Sequence, residues 1–390
     1  MKKSIYITYM GLTEPLLYSQ ALNYLKGLSK KGINIYIVSF EKKEFLKKEV
    51  IKQIKLELQE YGIKWIFLKY HKSPQFLSKP YDIIRGMFFI AYLSLKERVD
   101  IIHARGTFCA LMGAIPKVFL GKKMIFDVRG LMAEEYVDAG FWNRGAFVYK
   151  FINRIEEYFI KKSDYVIVLT NKIKDIFLDK HKVKNIIVIP TCVDLEKFYL
   201  NNTGKQNIKF TLIYAGAIGT WYMLNEMMDF YKVLSESISN AKFIILSQSD
   251  KDTIERHVPA QLKENVFIKS VDPKAMVNYM NMADMGIFFI KPCFSKIASC
   301  PTKFSEYLAC GLPVIINNKI GDTGDIVRDN KIGVVIEQFN AQVYRKAIVD
   351  MGKLLEEKII LRQRCRNVAE RYFSLEEGVD KYYKVYEGLK

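Results

Sequence analysis

Between Lys291 and Ile316 the chain reads KPCFSKIASCPTKFSEYLACGLPVII. Pro301-Thr302 marks a helix start that Thr302 or Ser299 is available to cap, and Gly311-Leu312-Pro313 closes the helix before an apolar strand. Lys296 and Lys303 flank that start. A helix N-terminus offers unbonded N–H groups and partial positive charge, so together with two ammonium groups it suits a diphosphate. Glu306, one turn further in, is placed to accept hydrogen bonds from the two hydroxyls of a ribose. The bland alternative makes Glu306 a surface helix residue and the lysines solvated.

Two further constellations are glycine turns. Tyr6–Tyr9 runs into Met10-Gly11-Leu12, and Leu212–Tyr214 runs into Ala215-Gly216-Ala217-Ile218-Gly219-Thr220. A turn of this kind lets backbone N–H groups face an anion. Neither completes G-x-G-x-x-G, so a nicotinamide fingerprint is unsupported. His103-Ala104-Arg105-Gly106 and Asp127-Val128-Arg129-Gly130 follow strand ends, where loops aim side chains toward a ligand crevice. His103 is a candidate to orient a bound sugar or acceptor, Arg129 to bind phosphate, and Asp127 to hold Arg129 or a hydroxyl. Glu134 and Glu135 follow in the loop after Arg129 and could act on an acceptor, although two adjacent loop acids ordinarily read as solvated. Asp250-Lys251-Asp252, a possible metal motif, reads as a helix cap. Six cysteines without a C-x-x-C pair and four histidines without ligand spacing leave a structural zinc site unsupported.

The elements that would position these groups alternate. Strands are expected at Ser4–Tyr9, Ile33–Ser39, Trp65–Lys69, Ile101–Ala104, Lys123–Val128, Tyr165–Leu169 and Ile186–Ile189. After a polar stretch at Asp194–Lys209 come Phe210–Ala215, Lys242–Leu246, Asn265–Lys269, Met285–Phe289, Pro313–Ile316 and Gly333–Ile336. Amphipathic helices separate them, among them Ser19–Lys31, Asn143–Lys162, Asp252–Lys263 and Ala341–Arg371, and Ser374–Lys390 closes the chain as another. Such alternation predicts parallel sheets covered by helices. The division is 1–195, a linker at 196–209, 210–372, and a C-terminal helix at 373–390 packing back on the first domain. Its 390 residues are half apolar, ample for two cores.

Net charge is +18, which suits partners bearing phosphate. No nucleic-acid-reading motif accompanies it, so nucleic acid is excluded as a partner. MKKSIYITYM enters a strand without an apolar leader segment, so a cytoplasmic chain with reduced thiols is expected. Met87–Leu95, the most apolar run, is half the ~20 residues that cross a bilayer.

The segment Ser299–Ile315 resembles the donor-site helix of family 4 retaining glycosyltransferases of the GT-B fold. In order along the chain, residues 7–32, 103–106 (HARG), 126–130 (FDVRG), 168–176 (VLTNKIKDI), 189–198 (IPTCVDLEKF) and 214–227 (YAGAIGTWYMLNEM) are similar to bacterial members that build surface polysaccharides. The resemblance implies two doubly wound Rossmann-like domains facing each other across a cleft. It implies transfer of a sugar from a UDP- or GDP-sugar to a glycan or lipid-linked acceptor, with retention and without an obligatory metal or other cofactor. On that mapping Glu306 binds the donor ribose, Ser299, Thr302, Lys303 and Lys296 lie at the diphosphate, and Gly216 and Gly219 form the loop beneath it. Gly11 forms the facing loop of the first domain.

Two positions depart from the family pattern. The first Glu of the E-x7-E pair is Ala298 here, and the Arg and Lys that many members carry after the second glycine loop are replaced by Thr220-Trp221-Tyr222. Lys296, Lys303 or Arg129 must then supply the charge for a leaving diphosphate. A sugar-nucleotide 2-epimerase sharing the two domains, or a catalytically silent nucleotide-sugar binder, are the alternatives. Glu41–Lys55 and Phe88–Tyr92 offer a basic and apolar surface to anionic lipids, at the inner face of the plasma membrane, and equally read as plain surface helix.

Overall fold

The computed structural model describes residues 2–14, 17–201 and 209–389. They form two units. One runs to Pro190 and takes in the stretch from Leu375 onward; the other is Thr191–Ser374.

The first unit holds seven parallel strands: β1 (Lys3–Thr8), β2 (Asn34–Glu41), β3 (Lys64–Lys69), β4 (Ile101–Arg105), β5 (Lys123–Asp127), β6 (Tyr165–Val168) and β7 (Ile186–Val188). Their order is β3-β2-β1-β4-β5-β6-β7, a doubly wound sheet whose winding reverses between β1 and β4. Helices cover both faces, so the central strands β1 and β4 are buried along nearly their whole length rather than at alternate residues. The helix Leu375–Gly388 packs on Asn23–Lys30, with the Tyr24 and Tyr382 rings 5.1 Å apart. Lys2 Nζ donates to the carbonyls of Tyr386, Glu387 and Leu389 at 2.6–2.8 Å, answering the unbonded acceptors at that helix's C-terminus.

The second unit holds β8 (Thr211–Ala215), β9 (Lys242–Leu246), β10 (Val266–Lys269), β11 (Met285–Phe288), β12 (Val314–Asn317) and β13 (Gly333–Ile336) in the order β10-β9-β8-β11-β12-β13. It repeats the doubly wound plan, reversing between β8 and β11. Gly286 on β11 is where a glycine is needed for close approach: a Cβ there would fall 2.5 Å from Tyr307 Cδ2. The Tyr307 ring therefore lies on the sheet and its hydroxyl accepts the Ala215 N–H at 2.7 Å, tying the helix Thr302–Ala309 to the end of β8.

Several element limits differ from the sequence reading. The segment Ser19–Lys31 opens as a π-turn at Tyr18–Leu22 before the α-helix Asn23–Lys30. The Asn143–Lys162 helix starts at Phe147. Asp252–Lys263 divides into Lys251–Glu255 and a 3₁₀ turn at Ala260–Asn265. Ala341–Arg371 is two helices, Ala341–Leu355 and Lys358–Phe373. Of the linker expected at 196–209, residues 202–208 lie outside the described residues. The part before them is packed in the second unit: Asn281 accepts the Asn201 N–H at 2.9 Å, and Arg366 donates to the Phe198 and Leu195 carbonyls at 2.7 and 3.2 Å.

Candidate functional site

In the second unit the residues singled out from the sequence gather at the carboxyl end of the sheet, beside the β8/β11 reversal. Pro301 occupies the N-cap of the helix Thr302–Ala309 and no side chain caps it. This corrects the expectation that Thr302 or Ser299 would do so. The Thr302 carbonyl accepts from Ser305 Oγ at 2.9 Å, and the Ser299 N–H closes a turn onto the Lys296 carbonyl at 3.1 Å. The helix start thus has no side-chain cap hydrogen bond at its positive end.

Lys303 is 4% exposed. Its ammonium stands 3.4 Å above the Tyr222 ring and 4.1 Å from the Tyr214 ring, and donates to Tyr214 Oη at 3.0 Å. Burial holds its pKa well below the ordinary lysine value, with Glu306 pulling the other way. Gly216 forms the roof. Its φ is +141° and a Cβ there would lie 2.7 Å from Lys303 Nζ, so only glycine lets the loop close over the ammonium. Lys296, also buried, sits 3.7 Å over the Trp221 ring. The two lysines are therefore not solvated, and the two rings that clamp them occupy the place where the family pattern has Arg and Lys. Gly219 is exposed, open on its Cβ side, and accepts the Tyr222 N–H at 3.1 Å, closing the turn that presents those rings. Ala298 is fully buried.

Glu306 is half-buried one turn into the helix. Burial pushes its carboxyl up to about 7 against the pull of Lys303. The loop that leads into the site is pinned by Asn317 at the end of β12, which accepts from the Ile290 N–H at 2.8 Å and donates to the Ile290 carbonyl at 2.9 Å. Asp250 accepts the Thr253 N–H at 2.9 Å, the cap expected of it.

The first-unit candidates are arranged differently. Gly11 lies against a buried carboxylate: its Cβ would fall 2.3 Å from Glu41 Oε2. Glu41 accepts from the N–H groups of Leu12 (2.7 Å) and Thr13 (3.3 Å), and Glu14 accepts the Gly11 N–H at 3.1 Å. The anion that this turn was expected to face is the protein's own, because acidic side chains already take its N–H donors.

His103, Asp127 and Arg129 do come together, but beneath the C-terminal helix. His103 is 1% exposed; its Nδ1 bonds Tyr386 Oη at 2.7 Å and its Nε2 lies 3.6 Å from Asp127 Oδ2. Tyr382 Oη donates to Asp127 at 3.1 Å, and Arg129 and Arg105 stand 3.7 and 3.9 Å from the same carboxylate. Burial drives the Asp127 pKa upward, yet Arg129 and His103 outweigh it and hold the group at about 2, while burial pushes His103 below its ordinary value. Glu134 is engaged by Arg144 at 2.8 Å and Tyr149 at 2.6 Å rather than solvated. Sequence reasoning missed Trp221 and Tyr222 as lysine clamps, Glu41 as the occupant of the Gly11 turn, and Tyr382 and Tyr386. Their i, i+4 spacing on an amphipathic helix was the available sign for that last pair.

Residues 19–197 match the model of Glycosyltransferase Family 4, and residues 196–372 match that of Glycosyl transferases group 1. An uncharacterised glycosyltransferase of Methanocaldococcus jannaschii is 20% identical over 348 residues, 85% of this chain and 87% of that protein. Among solved structures, a glycosyltransferase from Rickettsia africae superposes with a TM-score of 0.73 at 16% identity, covering 100% of this chain and 98% of that one. The Anabaena protein HepE in complex with UDP-glucose superposes with a TM-score of 0.70 at 12% identity, covering 100% of both.

Proposed function

Because the chain belongs to the family 4 glycosyltransferases of the GT-B fold, we propose that it moves a hexosyl group from a UDP- or GDP-sugar to a hydroxyl of a glycan or lipid-linked acceptor, with retention, in the assembly of a bacterial surface polysaccharide. The observation that carries the donor side is the uncapped start of the helix Thr302–Ala309 with Lys303 beneath it and Glu306 one turn on. The HepE complex, which holds UDP-glucose on the same fold, supports a nucleotide-sugar donor.

In this reading the diphosphate lies over the N–H groups of Thr302 and Lys303, with the Gly216 loop beside it. Glycosidic cleavage leaves about two negative charges on the departing diphosphate while the sugar gains oxocarbenium character. Lys303 and Lys296, held by their aromatic clamps, are preorganised to meet that charge without a metal ion, and the low dielectric around them strengthens the interaction. Glu306 accepts from the ribose hydroxyls. In the first unit Asp127 fixes Arg129, and Tyr382 and Tyr386 fix Asp127 and His103. Incubating the protein with a panel of nucleotide sugars, with and without acceptor, and following nucleotide release tests this. Transfer to acceptor is expected, whereas a new nucleotide sugar without transfer would mean epimerisation and binding alone a silent protein.

A further inference from the structure

A small cavity in the first unit, with room for one water-sized group, is lined by Tyr6 of β1, Gln20 of the π-turn, Tyr24, His103 and Arg105 of β4, and Tyr382 of the C-terminal helix. No carboxylate lines it, and its one charged side chain is Arg105. That guanidinium is 9% exposed and donates to Gln20 Oε1 at 2.8 Å. The nearest carboxylate among the described residues is Asp127, 3.9 Å away and beyond hydrogen-bonding distance. Asp127 is already engaged: Arg129 stands closer to it, at 3.7 Å, and Tyr382 Oη donates to Oδ2 at 3.1 Å. None of these groups belongs to the donor helix.

The other groups around the cavity leave that charge unanswered. Burial pushes the Tyr6 hydroxyl up to about 12 and Tyr382 well above its ordinary value, so neither is a phenolate. Burial pushes His103 down, so its imidazole is neutral. Its Nδ1 is bonded to Tyr386, and its Nε2, in a side chain 1% exposed, has no hydrogen-bond partner among the described residues. Two guanidiniums thus share one carboxylate, and the cluster carries one positive charge in excess. A buried charge lacking a counter-charge is strongly destabilising. Water in the cavity would satisfy N–H groups and leave the charge as it is; an anion does both. The lining suits an anion, because it is made of donors: Arg105, the Gln20 amide N–H₂ and the Tyr6 hydroxyl, with His103 Nε2 as a further one in its protonated tautomer. Size excludes a phosphate or an acidic sugar. What remains is a monatomic anion, and chloride is the common one.

We infer that this cavity binds a chloride ion, which neutralises Arg105 where β4 meets the C-terminal helix. The site is independent of the transferase reading. The test compares thermal melts of the full chain in sodium chloride and in sodium gluconate at equal ionic strength, gluconate being too large for the cavity. The melting temperature should climb with the logarithm of chloride concentration, by about 4 °C at tenfold the dissociation constant, and should not respond to gluconate. Arg105→Gln should abolish the difference between the two salts. Gln20→Met, which keeps the charge and removes a donor, should weaken chloride binding about tenfold. Crystals of the wild-type chain grown in sodium bromide should show an anomalous bromine peak beside the Arg105 guanidinium, a readout that requires no variant to fold. Identical melts in the two salts, a chloride response that survives Arg105→Gln, or water alone beside Arg105 in the bromide crystal would each overturn the inference. A chloride response that disappears when UDP is added would also overturn it, since the anion would then share the substrate's site. Failure to bind UDP in the same preparations would defeat the donor assignment and leave the chloride result standing.

Discussion

Replacing Lys303 by Met should separate stability from donor affinity. The ammonium gains from two ring faces at 3.4 and 4.1 Å and from one hydrogen bond to Tyr214 at 3.0 Å. Cation–π contacts of this kind are worth up to about 2 kcal/mol and a charged hydrogen bond about 1.5–3 kcal/mol. Against them stands the desolvation of a 4%-exposed charge, several kcal/mol after relaxation. Met retains most of the length and packing of the stem without the charge. Gains and losses therefore nearly cancel, and the melting temperature should move by no more than about 4 °C in a unit of this size. A diphosphate about 4 Å from the ammonium, at an effective dielectric near 20, loses about 4 kcal/mol of attraction, so UDP affinity should fall roughly 100- to 1,000-fold. Calorimetric titration with UDP and a thermal melt of the same sample read both quantities. A fall in melting temperature beyond about 10 °C with UDP affinity within threefold of wild type would refute the reasoning and make Lys303 a structural cation.

Three further outcomes follow from neighbouring groups. Glu306→Ala should lower UDP affinity by roughly 30-fold, and wild-type affinity should decline as pH falls below about 7, because burial holds Glu306 near that value and only its ionised form accepts both ribose hydroxyls; titrations between pH 5.5 and 8.5 check this, and Glu306→Gln should remove the pH dependence. Gly216→Ala forces a side chain into φ +141° and against Lys303 Nζ, so it should destabilise the second unit by about 1–3 kcal/mol and weaken UDP binding, both measurable in one denaturation and titration series. Glu156 is buried on the helix Phe147–Lys162, where it accepts from Thr107 Oγ1 and the N–H groups of Met132 and Ala133, and burial raises it to about 7. The protonated form is favoured in the folded chain, so its contribution to stability is full below about pH 4.5 and is lost as pH rises toward 7. Denaturant melts should show that slope in the wild type and a flatter profile in Glu156→Gln.

The parallel sheets were legible because both of their faces are buried, which leaves short apolar runs such as Leu212–Ala215 in β8 and Val314–Ile316 in β12. The π-turn at Tyr18–Leu22 was not, since the apolar spacing that marks a helix does not distinguish a local i→i+5 bond. The break at Glu356-Glu357 was hidden for a related reason: both residues are good helix formers and carry no stop signal. At the site, the Thr302 helix start, Lys303 and Glu306 could be read because they are local in sequence. The clamps could not. Trp221 and Tyr222 reach lysines about 75–80 positions later, Glu41 fills a turn 30 residues before it, and Tyr382 reaches Asp127 across 255 positions. Such pairings depend on strand order rather than on any local pattern, so His103 read as a strand-end residue facing a ligand when it is sealed under Tyr386.

The central claim concerns where a nucleotide's diphosphate rests, and a crystal structure of the chain with UDP tests it most directly. The account predicts phosphate oxygens within hydrogen-bonding distance of the Thr302 and Lys303 N–H groups, Lys303 Nζ turned toward them, and Glu306 on the ribose hydroxyls. Ordered UDP bound away from this helix, with no phosphate oxygen near Lys303 Nζ and Glu306 touching no nucleotide atom, would contradict it.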